Sequence, residues 1–264
     1  MECIFCDEPN EAKSIEHIVP ESLGNRNYVI QRSAVCDVCN NRFAKSERKA
    51  LSHSIFLMER ARHGIPAKSG KSAKGQIGDL EIEGDPNFKK NRVGIKGLSP
   101  NDLLDYNPEK KTYSIIVPSF DKSEDGASKL LLKMGLESLF TSKKSIFKKY
   151  NFSDLKAFLT DKSNIDWPFI TCKHQHDNFE SIPIYTDKYR LGKIRCRLLY
   201  QEFDDDILLF KFKYGSVEMI INLLNREIKW IPYYLQFGVA NLYPIYYSKK
   251  LPQTIILPKD IRNL

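Results

Sequence analysis

A glutamate and a histidine stand next to each other near the start of this chain, as Glu16-His17. The carboxylate of a glutamate is a hard oxygen ligand for a cation such as Mg²⁺. A histidine, with an ordinary pKa of about 6.5, can take a proton from water at neutral pH. Together the two side chains offer what the hydrolysis of a phosphodiester needs, which is a base for the attacking water and a ligand for a charge-stabilising cation.

Two pairs of cysteines surround this motif, each pair with two residues between its members. The pairs are Cys3 with Cys6 and Cys36 with Cys39. Four thiolates at this spacing predict a closed tetrahedral site for structural Zn²⁺, which can fold a unit too small to have a core of its own. Asn40 directly follows the last cysteine. The zinc site would therefore fix its amide, whose carbonyl oxygen can bind the same cation as the glutamate.

The cysteine spacing leaves a second interpretation open, namely a zinc ribbon that binds nucleic acid or assembles a complex without catalysis. Disulfides fit less well, because the chain begins Met-Glu-Cys-Ile-Phe-Cys and this start lacks the basic and apolar segments of an export signal. We also find no run of about 18 uncharged apolar residues. These observations predict a cytoplasmic protein without a membrane span.

The composition predicts a folded protein with a polyanionic partner. Hydrophobic residues make up 42% of the chain and aromatic residues 11%, which argues against disorder. The formal net charge is +8 at pH 7. An excess of positive charge favours an anionic partner, but it does not choose among nucleic acid, an anionic membrane and an acidic protein.

The elements around the motif follow from the residue pattern. Residues 14–19 and 28–35 predict two strands of a hairpin, joined by the turn formers Gly24-Asn25-Arg26-Asn27. After Cys39, apolar residues recur every three or four positions and predict one helix that ends at Gly64. The hairpin and the helix would form a first unit with the two cysteine pairs.

The domain organisation predicted is a first unit over residues 1–65, a linker or loop over 66–78, and a larger α+β domain over 79–264. The segment 66–78 is rich in small, basic and turn-forming residues, although a surface loop inside one domain fits the same composition. In the larger domain a helix is predicted over 127–140. Antiparallel strands are predicted over 192–200, 207–214, 216–224 and 227–233. The fold class is α+β.

The motifs of the first unit resemble the HNH (ββα-metal) endonuclease family, and within it the branch with two Cys-x-x-Cys pairs. In that branch, Glu-His-Ile-x-Pro-Glu-x-Leu-Gly precedes the second pair and Cys-Asn-Asn-x-Phe follows from it. This chain reads Glu16-His17-Ile18-Val19-Pro20-Glu21-Ser22-Leu23-Gly24 and then Cys39-Asn40-Asn41-Arg42-Phe43. Several spaced elements therefore agree in order and in spacing.

The resemblance implies a metal-dependent endonuclease that hydrolyses phosphodiester bonds in DNA. It implies that His17 is the general base and that Glu16 and Asn40 bind a catalytic Mg²⁺ or Mn²⁺. It also implies that the four cysteines hold a structural Zn²⁺ that supports this site without taking part in the chemistry.

The residue that orients the histidine is left open by the sequence. Many family members have an asparagine five residues before the second cysteine pair, and Gln31 stands at that place here. Gln31, a backbone carbonyl, Asn25 or Asn27 could take the role. Glu47, two turns into the predicted helix, is either a further ligand or orienting group or an ordinary acid on the helix surface.

Basic residues on two predicted elements are candidates for binding nucleic-acid phosphates. They are Arg42, Lys45 and Lys49 on the helix, and Lys193, Arg195 and Arg197 on the strand. The strand residues would lie beside Lys211 and Lys213 if the two neighbouring strands pair. The alternative is that both sets are simply the solvated faces of an amphipathic helix and an antiparallel sheet.

The biological setting is predicted by analogy with nucleases that have a long C-terminal domain of their own. The analogy favours an effector of a prokaryotic anti-phage or restriction system. The second domain would then bind DNA, bind a protein partner of a defence complex, or form a homodimer.

Overall fold

The computed structural model describes residues 2–9, 12–25, 28–110, 112–115, 124–172, 178–183, 190–191, 194–235 and 240–250. The fold is of the α+β class. The helices are α1 (Asp37–Leu51), α2 (Ser54–His63), α3 (Glu124–Ser142), α4 (Lys144–Lys149), α5 (Ser153–Leu159) and α6 (Ile231–Leu235). The strands are β1 (Lys74–Ile77), β2 (Leu80–Gly84), β3 (Val93–Lys96), β4 (Leu103–Asn107), β5 (Thr112–Ile115), β6 (Phe169–Cys172), β7 (Glu180–Ser181), β8 (Arg190–Leu191), β9 (Ile194–Asp204), β10 (Ile207–Tyr214), β11 (Val217–Asn222) and β12 (Ala240–Tyr243). Short 3₁₀ helices lie at Glu21–Leu23, Pro100–Asp102 and Ile245–Lys250.

The hairpin between the two cysteine pairs is present, but its strands are shorter than predicted. Its antiparallel pairing is an isolated bridge between His17 and Val29, flanked by backbone hydrogen bonds of 2.9 and 3.0 Å. Ser33 has a left-handed backbone with φ 69° and lies in a turn. The chain therefore bends toward the second cysteine pair, and the prediction of a strand reaching residue 35 is wrong.

The helix predicted after Cys39 is two helices, α1 and α2. The hydroxyl of Ser52 donates a hydrogen bond of 2.6 Å to the carbonyl of Lys49, and His53 then adopts an extended backbone. A serine side chain that takes a helix carbonyl competes with the next backbone N–H and favours a helix end there. The end of α2 at Gly64 is as predicted.

The segment predicted as a linker contains a strand. Residues 74–77 form β1, which pairs with β2 in a three-stranded antiparallel sheet of order β1-β2-β3. Leu57 and Ala61 of α2 pack against Ala73, Ile77 and other apolar residues of this sheet. The linker prediction is therefore wrong for residues 74–77, while the division into two domains stays a prediction.

The C-terminal part contains the antiparallel sheet that was predicted. Its strand order is β12-β6-β11-β10-β9-β7, with β8 also paired to β9. The strand predicted over 227–233 is wrong, because α6 begins at Ile231. Pro232 explains the difference, since proline has no N–H for a strand ladder but is tolerated in the first turn of a helix.

Helix α3 packs between α1 on one side and strands β10 and β11 on the other. Leu130, Leu131, Met134 and Leu139 are fully buried, as the sequence predicted. The approach to α1 is close at Gly126, where a Cβ would lie 2.8 Å from the Cβ of Lys49. No helix among the described residues combines the length and the apolar composition needed to span a bilayer.

Candidate functional site

The four predicted zinc ligands lie together. The sulfur atoms of Cys3, Cys6, Cys36 and Cys39 are all within 4.8 Å of one another, and those of Cys6 and Cys36 are 3.7 Å apart. A tetrahedral site with Zn–S bonds of about 2.3 Å places its sulfurs about 3.8 Å apart. The residues therefore fit a structural Zn²⁺.

Backbone contacts arrange these thiols. The backbone N–H of Cys39 donates to the sulfur of Cys36, which caps α1, and the N–H of Cys36 donates to the sulfur of Cys3, each at 3.4 Å. The ring centroids of Phe5 and Phe43 lie 4.6 Å apart in an edge-to-face contact. This contact packs the loop of the first cysteine pair against α1. The hydrogen bond from Cys39 lowers the pKa of Cys3 to about 4, which favours the thiolate that a metal binds.

Asn40 is held by a small polar network at the start of α1. Its amide nitrogen donates a hydrogen bond of 3.0 Å to the hydroxyl of Ser14. The carboxylate of Asp37 accepts from the N–H groups of Lys13 and Ser14 and from the Ser14 hydroxyl, and these bonds lower its pKa. The sequence analysis missed Ser14 and Asp37, although an acid in the first turn of a helix is a known signal of such contacts.

Glu16 is buried and forms an ion pair with Lys133 of α3, a residue that the sequence analysis did not single out. The Lys133 ammonium also lies 2.8 Å from Glu47 and 3.6 Å from Glu137, and it donates a hydrogen bond of 2.9 Å to the backbone carbonyl of His17. We call Lys133, Glu16, Glu47 and Glu137 the Lys133 cluster. Glu47 is therefore a member of this cluster, and it is not an ordinary acid on the helix surface.

Charges in the Lys133 cluster influence one another strongly because they are buried. Burial alone would lower the pKa of Lys133, but Glu137, Glu16 and Glu47 together raise it well above its ordinary value. Burial raises the pKa of Glu16, against the effect of Lys133, and burial also raises the pKa of Glu137 well above its ordinary value. Lys133 consequently keeps its positive charge at neutral pH.

His17 is half-buried beside this cluster. Its Nδ1 is buried and has no hydrogen-bond partner among the described residues. Burial lowers the pKa of His17, while the carboxylate of Glu21 opposes the shift. The imidazole is therefore neutral at pH 7, which is the form that can accept a proton.

A comparison with protein families now bears on these residues. Residues 3–56 match the model of a family described as HNH endonuclease. We call residues 3–56 the HNH unit, after the family whose model they match. The match ends within α2, so Lys133 lies outside it. The comparisons with curated proteins and with solved structures returned no match.

In the HNH unit, Asn25 fastens the hairpin that carries His17. Asn25 is fully buried, and its amide nitrogen donates to the carbonyl of Val19 and, at 2.9 Å, to that of Tyr28. Its carbonyl accepts from the N–H of Tyr28 at 2.8 Å. Gln31 is exposed in the turn that follows, and Asn27 lies outside the described residues. Of the two predicted side chains that the structure describes, Gln31 and Asn25, it is Asn25 that braces this loop, and the residue that orients His17 stays a prediction.

The predicted basic face of the first helix is partly paired with carboxylates. Arg42 lies 3.5 Å from Asp161, and Lys49 lies 3.3 Å from Asp125. Lys45 is exposed. A role of these three residues in binding phosphates stays a prediction, and both Lys45 and Lys49 are exposed.

The predicted basic face of the strand is described in part. Lys193 lies outside the described residues. Arg195 is exposed, and Arg197 lies opposite Lys213 of β10, as the predicted pairing requires. A nucleic-acid contact of Arg195 and Arg197 stays a prediction.

Lys211 does not belong to that exposed face. Its side chain is fully buried and lies 2.7 Å from the carboxylate of Glu218, which also pairs with Lys213. A buried lysine needs such a partner, because an uncompensated charge in the interior is costly. The expectation that Lys211 joins a basic surface is therefore wrong.

Proposed function

We propose that the protein is a metal-dependent HNH endonuclease that hydrolyses phosphodiester bonds in DNA. The observation that carries this proposal is the half-buried imidazole of His17 next to Glu16, inside an HNH unit whose four cysteines lie together in the arrangement of a zinc site.

In the proposed reaction, His17 takes a proton from a water molecule while the water oxygen attacks phosphorus. The bond from phosphorus to the 3′ oxygen then breaks. Burial favours the neutral imidazole over the imidazolium, so the base is ready at neutral pH. The position of His17 depends on the short hairpin, on Asn25 within its loop and on the bond from Lys133 to its carbonyl.

Glu16 and Asn40 are the residues proposed to hold a catalytic cation. A carboxylate has two oxygens with two lone pairs each. The ion pair of Glu16 with Lys133 through Oε1 therefore leaves lone pairs that can bind a cation. Asn40 donates to Ser14 through its nitrogen, and its carbonyl oxygen is the atom that would bind a cation. A bound Mg²⁺ or Mn²⁺ would stabilise negative charge on the phosphate and on the leaving oxygen.

The substrate class is proposed from charge and from the family. A net charge of +8 suits a polyanion, and phosphate contacts contribute most of the sequence-independent affinity of proteins for DNA. Lys45, which is exposed on α1 of the HNH unit, is the first candidate for such a contact. A role in an anti-phage or restriction system, and a homodimer or a protein partner, stay predictions.

The test is cleavage of a supercoiled plasmid by the zinc-loaded protein with Mg²⁺, with Mn²⁺ and with EDTA. We expect nicked or linear DNA with either cation and none with EDTA. Because EDTA can also remove zinc, excess Mg²⁺ is then added back and the bound zinc is measured. Cleavage that returns with zinc still bound supports the proposal. Salt-sensitive DNA binding without cleavage under all conditions would instead favour the non-catalytic zinc ribbon.

A further inference from the structure

Lys133 reaches the centre of the HNH unit from a distant part of the chain. It lies 116 residues after His17, on α3, and outside the segment that matches the family. Nothing in the motif of the HNH unit requires a lysine from that helix. Lys133 nevertheless contacts Glu16 and His17, the two neighbouring residues proposed to act in the reaction.

The contacts of Lys133 use its full hydrogen-bonding capacity. A lysine ammonium has three N–H donors. Three acceptors lie close to it: a carboxylate oxygen of Glu16, the carbonyl of His17 at 2.9 Å and a carboxylate oxygen of Glu47 at 2.8 Å. The ammonium is thereby fixed in direction as well as in place.

The bond to the carbonyl of His17 fixes the peptide group between His17 and Ile18. The carbonyl side of that peptide is held by Lys133, and the N–H side is held by the carbonyl of Tyr28 at 2.9 Å. A peptide unit is planar, so two anchored sides fix its orientation. The direction in which the imidazole leaves the backbone follows from that orientation.

The helix that carries Lys133 is buried and closely packed. The side chain of Lys133 is 1% exposed, and the neighbouring Leu132 and Met134 are fully buried. At Gly126 the same helix lies so close to α1 that a Cβ would meet Lys49. Supporting groups on packed helices hold a site more precisely than groups on loops.

We propose that Lys133 is a positioning residue of the HNH site, which orients His17 through its backbone carbonyl and holds Glu16 through its carboxylate. The kinetic part of this inference rests on the proposed nuclease function. The site of the HNH unit is accordingly completed by α3, which belongs to the C-terminal part of the chain.

The test replaces the ammonium without shortening the side chain, in Lys133→Met. Because this change leaves the carboxyl groups of the cluster without their cation, a second variant, Lys133→Met with Glu137→Gln, also replaces the most deeply buried of these groups by an uncharged amide. Glu137→Gln by itself is measured beside it. The matched control is Lys129→Met, which removes a lysine one turn earlier on α3 that pairs with Asp161 at 2.6 Å and is not a member of the Lys133 cluster.

The first measurement is plasmid cleavage with kcat and KM determined separately. We expect kcat to fall about 100-fold in the folded double variant, with KM and zinc content unchanged, because small misplacement of a reacting group has effects of this size. Lys129→Met should keep the wild-type kcat, and Glu137→Gln measures the effect of the lost carboxyl group by itself, to which the double variant is compared. A folded double variant with wild-type kcat would overturn the inference while leaving the proposed function intact.

The second measurement does not depend on cleavage. The ring signals of His17 are identified in NMR spectra by their loss in His17→Ala. They should shift in the Lys133 variants, beyond any shift in Glu137→Gln, and stay in place in Lys129→Met. Unshifted His17 signals in a folded Lys133 variant contradict the positioning role, whatever the kinetics show. Absence of cleavage by the wild-type protein would reject the proposed function, and the NMR result would still decide the role of Lys133.

Discussion

The amide nitrogen of Asn40 donates a hydrogen bond of 3.0 Å to the hydroxyl of Ser14. This contact joins the helix that begins at the zinc cysteines to the segment that leads into Glu16 and His17. The carboxylate of Asp37 bonds the same hydroxyl from the first turn of that helix. The side-chain carbonyl of Asn40 is therefore held in place in two ways. Cys39 of the thiol cluster is its neighbour in the chain, and its amide group is hydrogen-bonded to Ser14, which Asp37 holds in turn.

Replacing Asn40 by alanine should weaken the binding of the catalytic cation without removing zinc. We expect the Mg²⁺ concentration that gives half-maximal cleavage to rise about 10- to 100-fold, the size of effect seen when support of a metal site is lost. Asn41→Ala, which changes the exposed neighbouring asparagine, is the control. An unchanged Mg²⁺ requirement in Asn40→Ala would remove Asn40 from the set of ligands.

Loss of a zinc cysteine should unfold the HNH unit. Cys39→Ala leaves three thiolates, and the binding free energy of a structural zinc is also folding free energy, on the order of 10 kcal/mol. We expect metal analysis to show that the protein has lost its zinc. We also expect its helical circular dichroism signal to decrease, because α1 unfolds. Cys172→Ala, which removes a buried cysteine outside the zinc cluster, should retain one zinc per chain. A folded, active Cys39→Ala protein is the result that the zinc assignment does not allow.

Cleavage should depend on pH through the deprotonation of His17. Its pKa in the folded protein lies below the ordinary value of 6.5, because burial disfavours the charged imidazolium. The base is lost when the ring is protonated, so activity should be flat near pH 7 and fall as pH drops through that lowered pKa. The check is kcat/KM against pH, in buffers of equal ionic strength. An acidic limb with its midpoint above pH 6.5 would mean that another group controls the rate.

Gly215 lies in the turn between β10 and β11, where α2 contacts the C-terminal sheet. We expect the stability of the protein to depend on this glycine. The carboxylate of Glu59 in α2 accepts from the N–H and the hydroxyl of Ser216 at 3.0 and 2.9 Å. Gly215 has φ 62°, and a Cβ there would lie 1.9 Å from an oxygen of Glu59. We expect Gly215→Ala to lower the free energy of unfolding by about 3 kcal/mol, from backbone strain and the broken contact together.

The matched control for that variant is Gly70→Ala. Gly70 also has a positive φ, of 77°, but nothing lies within 4 Å of a Cβ there. Its cost should be the backbone strain alone, about 1 to 2 kcal/mol. Equal losses for the two variants in denaturant unfolding would show that the Glu59 contact contributes nothing.

Sequence patterns with a local physical cause were read correctly. The cysteine spacing predicted the thiol cluster, and the apolar spacing of 127–140 predicted the buried face of α3. The alternation over 207–214 predicted β10 with its bounds. These signals are local because metal ligation, helix periodicity and strand alternation each act within a few residues.

Features decided by distant contacts were missed. Lys133 and Glu137 are buried charged residues of α3, and the sequence offers no sign that Lys133 pairs with Glu16. Residues 74–77, Lys-Gly-Gln-Ile, are too polar to indicate a strand, yet pairing with β2 makes them one. Tertiary contacts override local preference in such places.

The central claim is that His17 is the base of a metal-dependent nuclease, and cleavage by His17→Ala tests it most directly. The measurement is the rate of plasmid nicking at saturating Mg²⁺ by protein with one bound zinc per chain, beside His63→Ala as a histidine control in the same fold. The account predicts a loss of at least about 100-fold in His17→Ala, within the range that a general base contributes, and a wild-type rate in His63→Ala. A His17→Ala protein that is folded, zinc-loaded and as fast as the wild type would contradict it.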